Sequence, residues 1–342
     1  MITLKKLRNF LKNNGIPEYR ANQVFHAVYK EGKLDYCDMH VLPEYVQDKL
    51  KKNIPIISFE IKNEQISKNK SAIKSLVEFK DKESVETVLL RFKDGRNTVC
   101  VSSQIGCNLN CAFCATGKLG FKRNLTTQEI TDQVLYFQQK LIKLDERVDH
   151  IVFMGMGEPF NNYKNVNEAI EILHSPTTFN IGKRNITVST AGEIEGIRDI
   201  TIDQPSINLA VSLHAPTDEL RKKLMPIARK HNLDELMNAC QEYTEKTHRR
   251  ITYEYIMLKD VNDTDKNAYT LANLIRGQLC HVNLIRYNKV QKLKFSPSTN
   301  KAIQTFENIL ESNQIPVTVR VSLGDDIRGA CGQLAGKKNS KT

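Results

Sequence analysis

No apolar run in this 342-residue chain approaches the length needed to span a bilayer. Residues 1–15 alternate Lys and Arg with Leu and Phe and lack the continuous apolar stretch of a signal peptide. Both absences predict a cytosolic location without membrane attachment. Internal repeats and low-complexity tracts are missing too, and the length suits one large core with a small appended domain, or two medium domains. Acidic residues are in deficit, 39 against 50 basic, leaving a net charge of +11. Such a surplus suits a polyanionic partner, whether RNA, DNA or an anionic membrane surface, and charge alone does not choose among them. The surplus is spread along the chain, as a solvated Lys-rich surface would also be. Hydrophobic content of 40% and charged content of 26% are those of an ordinary globular protein.

Eight cysteines are present, at 37, 100, 107, 111, 114, 240, 280 and 331. In a cytosolic chain of this size they do not form a disulfide framework. Their clustering matters more, because four of them fall between positions 100 and 114.

Residues 1–50 read as short helices, with Leu4, Leu7, Phe10 and Leu11 and then Val24, Phe25, Val28 and Tyr29 at helical spacing. Residues 51–96 form a β-rich extension: Ile54, Ile56 and Phe59 start a first strand, with others over 73–79 and 85–92. From about residue 97 the pattern becomes strand then helix, with strands over 98–103, 150–154, 186–190, 208–213, 251–258, 281–287 and 317–323. Thr126 and Glu129 make a capping box before a helix whose stripe is Ile130, Val134, Phe137 and Leu141. The chain is thus α/β: a partial (β/α)6 barrel over 97–336, carrying its function at the C-terminal ends of the strands. The tail 337–342 is expected to be disordered and basic.

Directly after the first barrel strand comes Cys107-Asn-Leu-Asn-Cys111-Ala-Phe-Cys114, a C-x3-C-x2-C array. Three thiolates can cap three irons of a cubane cluster and leave the fourth iron open. In radical S-adenosylmethionine enzymes the cofactor chelates that iron, and an electron cleaves its sulfonium to give a 5′-deoxyadenosyl radical. The competing reading is a structural zinc site with Cys100 as fourth ligand. Other motifs also follow strands: Gly155-Met-Gly157-Glu158-Pro159, Ser189-Thr190, Ser212-Leu213-His214 and Asn288. Each alone is an ordinary turn or cap, and a lone histidine is usually structural. Together they mark one end of one sheet. Cys331 lies among small residues in Gly329-Ala-Cys331-Gly-Gln333, which would leave its thiol accessible, the alternative being a small buried cysteine. Cys37, Cys240 and Cys280 read as small buried cysteines. Glu86 sits mid-strand, where a carboxylate usually faces solvent.

These residues, with Gly120-Phe-Lys-Arg-Asn124-Leu125 and Ala330-Cys331-Gly-Gln333-Leu334, resemble the RlmN/Cfr family of radical S-adenosylmethionine RNA adenine methyltransferases over nearly the whole chain, including the helical N-terminal domain. The resemblance implies a 4Fe–4S cluster on Cys107, Cys111 and Cys114. It implies S-adenosylmethionine contacts at Gly157, Glu158, Ser189, Ser212, Leu213, His214 and Asn288. It also implies a methyl group carried on Cys331, release by a disulfide between Cys100 and Cys331, and a proton acceptor at Glu86. It implies further that two molecules of S-adenosylmethionine are consumed, because carbon 2 of adenine is electron-poor and cannot attack a methylsulfonium. The implied substrates are an adenosine of 23S ribosomal RNA and one beside the anticodon of some transfer RNAs. The implied helpers are an electron donor such as flavodoxin and no second subunit. Gly157-Glu158-Pro159 and the segment 251–255 resemble the branch that methylates carbon 2. Arg286-Tyr287-Asn288, which no proline follows, is nearer the branch that methylates carbon 8 and confers antibiotic resistance. Outside the family, the residues also admit a zinc-stabilised RNA-binding protein without catalysis.

Overall fold

A computed structural model describes residues 4–290 and 293–335. Helices α1 (Leu4–Asn13), α2 (Arg20–Tyr29) and α3 (Glu44–Asn53) open it. Their pairs Leu7 and Leu11, Val24 and Val28, and Val46 and Leu50 lie four residues apart, hence on one face of each helix, and bury against one another. Ile54 and Ile56 close this small core and are not part of a strand, which corrects the sequence expectation. The first strand, β1 (Phe59–Ile66), is polar and largely exposed, so it carries no clear alternation to read.

Strands β2 (Ala72–Phe79), β3 (Ser84–Arg91) and β4 (Asn97–Cys100) continue from β1 as an antiparallel meander. The chain then leaves the sheet for a small antiparallel pair, β5 (Gln104–Gly106) and β6 (Phe121–Asn124). Sequence periodicity gave no sign of this pair. Helix α4 (Thr127–Ile142) follows with the expected capping box at Thr126 and Glu129 and the expected buried stripe. Then come β7 (His150–Phe153), α5 (Tyr163–His174), β8 (Ile186–Thr190), α6 (Ile194–Asp203), β9 (Asn208–Ser212), α7 (Asp218–Leu224), α8 (Leu233–Thr247), β10 (Ile251–Met257), α9 (Asp265–Leu274), β11 (Cys280–Arg286), α10 (Asn300–Ser312) and β12 (Val317–Arg320).

The large sheet has the order β1-β2-β3-β4-β7-β8-β9-β10-β11-β12, with every pairing from β4 onward parallel. Among the described residues, seven parallel strands are therefore joined by six helical crossovers. The outermost strands β1 and β12 do not pair, so the (β/α)6 barrel is open. Parallel strands covered on both faces must be apolar throughout. Leu209, Ala210 and Val211 of β9 are all fully buried. The meander β1–β3 extends the barrel sheet at its β4 edge. Among the described residues, no helix is long and apolar enough to cross a membrane. The tail at 337–342 lies outside the described residues.

Candidate active site

Each parallel strand ends at the same rim, and the sequence motifs follow these ends. Past β4, the pair β5–β6 pinches off the loop 107–120 that carries the three cysteines. Gly106 makes the pinch possible. At φ +73° it lies so close to the carbonyl of Gly120 that any Cβ would overlap it. The Cys107 amide donates to that same carbonyl at 3.0 Å. The far side of the loop is tied down as well: the Ala112 amide donates to Leu224 O (2.8 Å) and the Ala115 amide to Gly332 O (2.9 Å). Thr116 Oγ1 donates to Leu334 O at 2.8 Å. The cysteine loop is thus held against the Cys331 loop, from the opposite end of the barrel sequence.

One cavity at this rim is lined by Cys107, Cys111 and Cys114, by Gly157, Glu158, Ser189, Ser212 and His214, and by Cys331. Gly157 has φ +103°, and a Cβ there would come within 2.5 Å of Gln104 Cβ, so only glycine lets the chain pass. Next to it, the Glu158 carboxylate accepts from the Ala191 amide (2.8 Å) and the Phe160 amide (3.2 Å). Burial outweighs these bonds and lifts its pKa to about 7. A cationic ligand group beside Glu158 would offset that burial. His214 is in the left-handed region at φ 57°, and its Nδ1 accepts from the Ile256 amide at 3.1 Å. Burial first, then the Arg221 charge, lowers its pKa to about 3, so the ring is neutral. It meets the ring of Phe113 edge-on, with centroids 4.8 Å apart.

Three expected residues lie at or behind the cavity wall. Leu213 is part of the core, and its amide donates a hydrogen bond to Glu254 O at 3.0 Å. Asn288 is buried and its Nδ2 donates to Cys331 O at 3.5 Å. Cys100 is buried with its thiol pKa pushed up to about 12, by burial first and then by Cys331. Cys331 is exposed as a residue, yet burial of its thiol raises the thiol pKa, with the Arg320 charge pulling the other way.

Two expectations need correction. Glu86 does not face solvent: β2 and the segment after Cys331 cover it, and its carboxylate meets Lys74 Nζ (2.8 Å) and the Ala335 amide (2.6 Å). Cys37 is exposed, with Lys51 Nζ 3.4 Å from its sulfur, because it sits on the outer side of a helical turn next to α3. Cys240 and Cys280 are buried as expected.

Sequence reasoning missed Glu254 and Arg320, which also line the cavity. Glu254 Oε1 accepts from Asn283 Nδ2 (3.0 Å) and meets Arg320 Nη1 (3.4 Å). Burial raises the pKa of Glu254, and the Arg320 charge lowers it. A signal existed. An acid amid the apolar residues of a central strand demands a partner.

The geometry separates the two metal readings. Zinc at about 2.3 Å from each thiolate would draw the sulfurs to about 3.8 Å from one another. Among the described residues, the one group with all its ligand atoms within 4.8 Å is Glu193, Glu195 and His231, so the three cysteines are more widely spread. Lys230 already bridges Glu193 (3.0 Å) and Glu195 (3.4 Å). The wider spread suits a cubane, in which each thiolate takes its own iron. Cys100, the required fourth zinc ligand, is not among the residues that line the cavity with the three cysteines.

Comparison with known proteins agrees. The radical SAM superfamily model matches residues 101–272, and the ribosomal RNA large subunit methyltransferase N-terminal domain matches residues 2–56. A probable dual-specificity RNA methyltransferase RlmN of Clostridium botulinum is 43% identical over 97% of this chain and 94% of its own length. One of Dictyoglomus turgidum shares the same figures. The crystal structure of a radical SAM methyltransferase from Sphaerobacter thermophilus superposes with a TM-score of 0.94 at 42% identity, covering 98% of both chains. The chain therefore belongs to the radical SAM superfamily, whose members use a 4Fe–4S cluster and S-adenosylmethionine, and within it to the RlmN family of dual-specificity RNA methyltransferases.

Proposed function

We propose that this protein methylates carbon 2 of an adenosine in 23S ribosomal RNA and of an adenosine in some transfer RNAs, carrying the methyl group on Cys331. The observation that carries this reading is the meeting of two cysteine sets at one rim. Cys107, Cys111 and Cys114 share a cavity with Cys331, and Cys100 is the last residue of β4, at the same rim. A generic radical enzyme needs only the first set.

Cys107, Cys111 and Cys114 would hold the cluster, which when bound supplies the electron that turns S-adenosylmethionine into a source of a hydrogen-abstracting radical. Glu158 is placed to accept from the ammonium of S-adenosylmethionine. Gly157, Ser189, Ser212, Leu213, His214 and Asn288 would shape the rest of its site. Cys331 takes a methyl group from the sulfonium: its sulfur–carbon bond forms as the sulfonium–methyl bond breaks. Once the methyl thioether has given one hydrogen atom to the radical and its methylene is attached to the base, the Cys100 sulfur attacks the Cys331 sulfur as its thiol proton leaves. The sulfur–carbon bond breaks, its electron pair stays on carbon, and the carbon takes a proton. Glu86 is assigned to accept the proton lost from carbon 2 on attachment, and the one electron released with it would return to the cluster when bound. Its bond to the Ala335 amide joins that role to the position of the Cys331 segment.

The charge of +11 suits phosphate backbones. It also suits an acidic one-electron donor such as a flavodoxin. We assign a monomer acting in the cytoplasm, where both RNAs reside. Expression in a host lacking its own enzyme, followed by mass spectrometry of digested ribosomal and transfer RNA, tests the reading. It predicts 2-methyladenosine in both. A product comigrating with 8-methyladenosine would place the chain in the other branch.

A further inference from the structure

Arg221 of α7 is fully buried, and the methyl-transfer reading gives it no task. Its Nη2 donates to Ala191 O at 2.6 Å. Its Nε and Nη1 are buried with no hydrogen-bond partner among the described residues. The carboxylate of Asp218, on the same helix, is engaged with the Leu233 amide. A buried guanidinium with free donors is strongly unfavourable unless an anion answers it.

The surroundings indicate which anion. Helix α7 ends at Leu224, whose carbonyl receives the Ala112 amide from between Cys111 and Cys114. Phe113, Leu224 and Met225 form one apolar cluster against which Cys111 and Cys114 pack. Once ionised, as on holding a metal, the Cys111 thiolate would raise the Arg221 pKa against its burial. A cubane held by three thiolates carries net negative charge, and reduction adds one more.

We propose that Arg221 is a positioning residue for the cluster: a buried counter-cation on the Cys111 side that stabilises the reduced cluster and raises its reduction potential. The inference rests on the cluster reading. Its field acts through a poorly screened interior, so one full charge there changes the one-electron equilibrium markedly.

The test uses the full chain, reconstituted anaerobically with iron and sulfide, as wild type, R221Q and R221K. Each is titrated with dithionite and followed by electron paramagnetic resonance. At a fixed potential, R221Q should show a reduced-to-oxidised ratio at least about tenfold below wild type, about 59 mV for one electron. R221K keeps the charge and should stay within about threefold. Loading of R221K but not of a folded R221Q would also support the charge requirement. An R221Q ratio within about twofold of wild type would overturn the proposal. So would a cluster-free R221Q that fails to fold where cluster-free wild type folds, since Arg221 would then be a structural strut. A wild-type protein that binds zinc and no cluster would instead sink the family reading itself.

Discussion

The amide of Ala115, one residue past Cys114, donates to the carbonyl of Gly332, one residue past Cys331, at 2.9 Å. Two loops more than two hundred residues apart are thereby fixed against each other at the barrel rim. The three-cysteine loop and the Cys331 loop are held in register by the fold.

That clamp is testable at its second bond. Thr116→Val deletes the hydroxyl that donates to Leu334 O. A lost neutral hydrogen bond costs about 1 kcal/mol, roughly a fivefold change in the population of the docked loop. The variant should keep its iron content and lose a few-fold in the rate at which the Cys331 peptide gains a methyl group, read by protein mass spectrometry. Loss of iron with an unchanged methylation rate would reverse the assignment.

The two thiols should fail in different ways. Cys331→Ala should retain the brown cluster and transfer no methyl group. Cys100→Ala should accumulate a covalent protein–RNA adduct, visible on a denaturing gel and removed by ribonuclease. If Cys100→Ala turns over without adduct, release does not depend on that thiol.

Gly157→Ala should be harsh for a reason independent of catalysis. Its φ of +103° excludes a side chain, and the new Cβ would strike Gln104. We expect a loss of at least about 2 kcal/mol in urea unfolding of the cluster-free protein. A loss below about 0.5 kcal/mol would show that the turn relaxes freely.

His214 should leave a mark on acid stability. Its folded pKa of about 3 lies below its ordinary 6.5. Between these values the unfolded chain binds a proton that the folded ring refuses. Stability from this group is therefore complete above pH 6.5 and declines as pH falls toward 3. The local slope approaches about 1.4 kcal/mol per pH unit. His214→Asn should flatten that part of the stability profile. Parallel profiles for variant and wild type would show that the ring is protonated in the fold.

The barrel was legible because each βα unit repeats a local pattern, and the end of each strand sets where its motif falls. The three cysteines, Gly157, Glu158 and His214 could be found that way. What could not be read depends on burial by distant segments. Glu86 looks like a solvent-facing strand residue until the chain past Cys331 covers it. Arg221 hides in an ordinary basic helix segment, and its partnerless donors show only once α7 packs on the cysteine loop. The polar strand β1 gave no period because most of it remains in water.

Passage of the methyl group through Cys331 is tested by turnover with S-adenosylmethionine bearing a fully deuterated methyl group. The expected result is a labelled Cys331 peptide, and then a methyl group on adenosine carbon 2 that has exchanged one deuterium for hydrogen, because one is abstracted while the group is on sulfur. An RNA methyl group with all its deuterium retained, or an unlabelled Cys331 peptide, would contradict it.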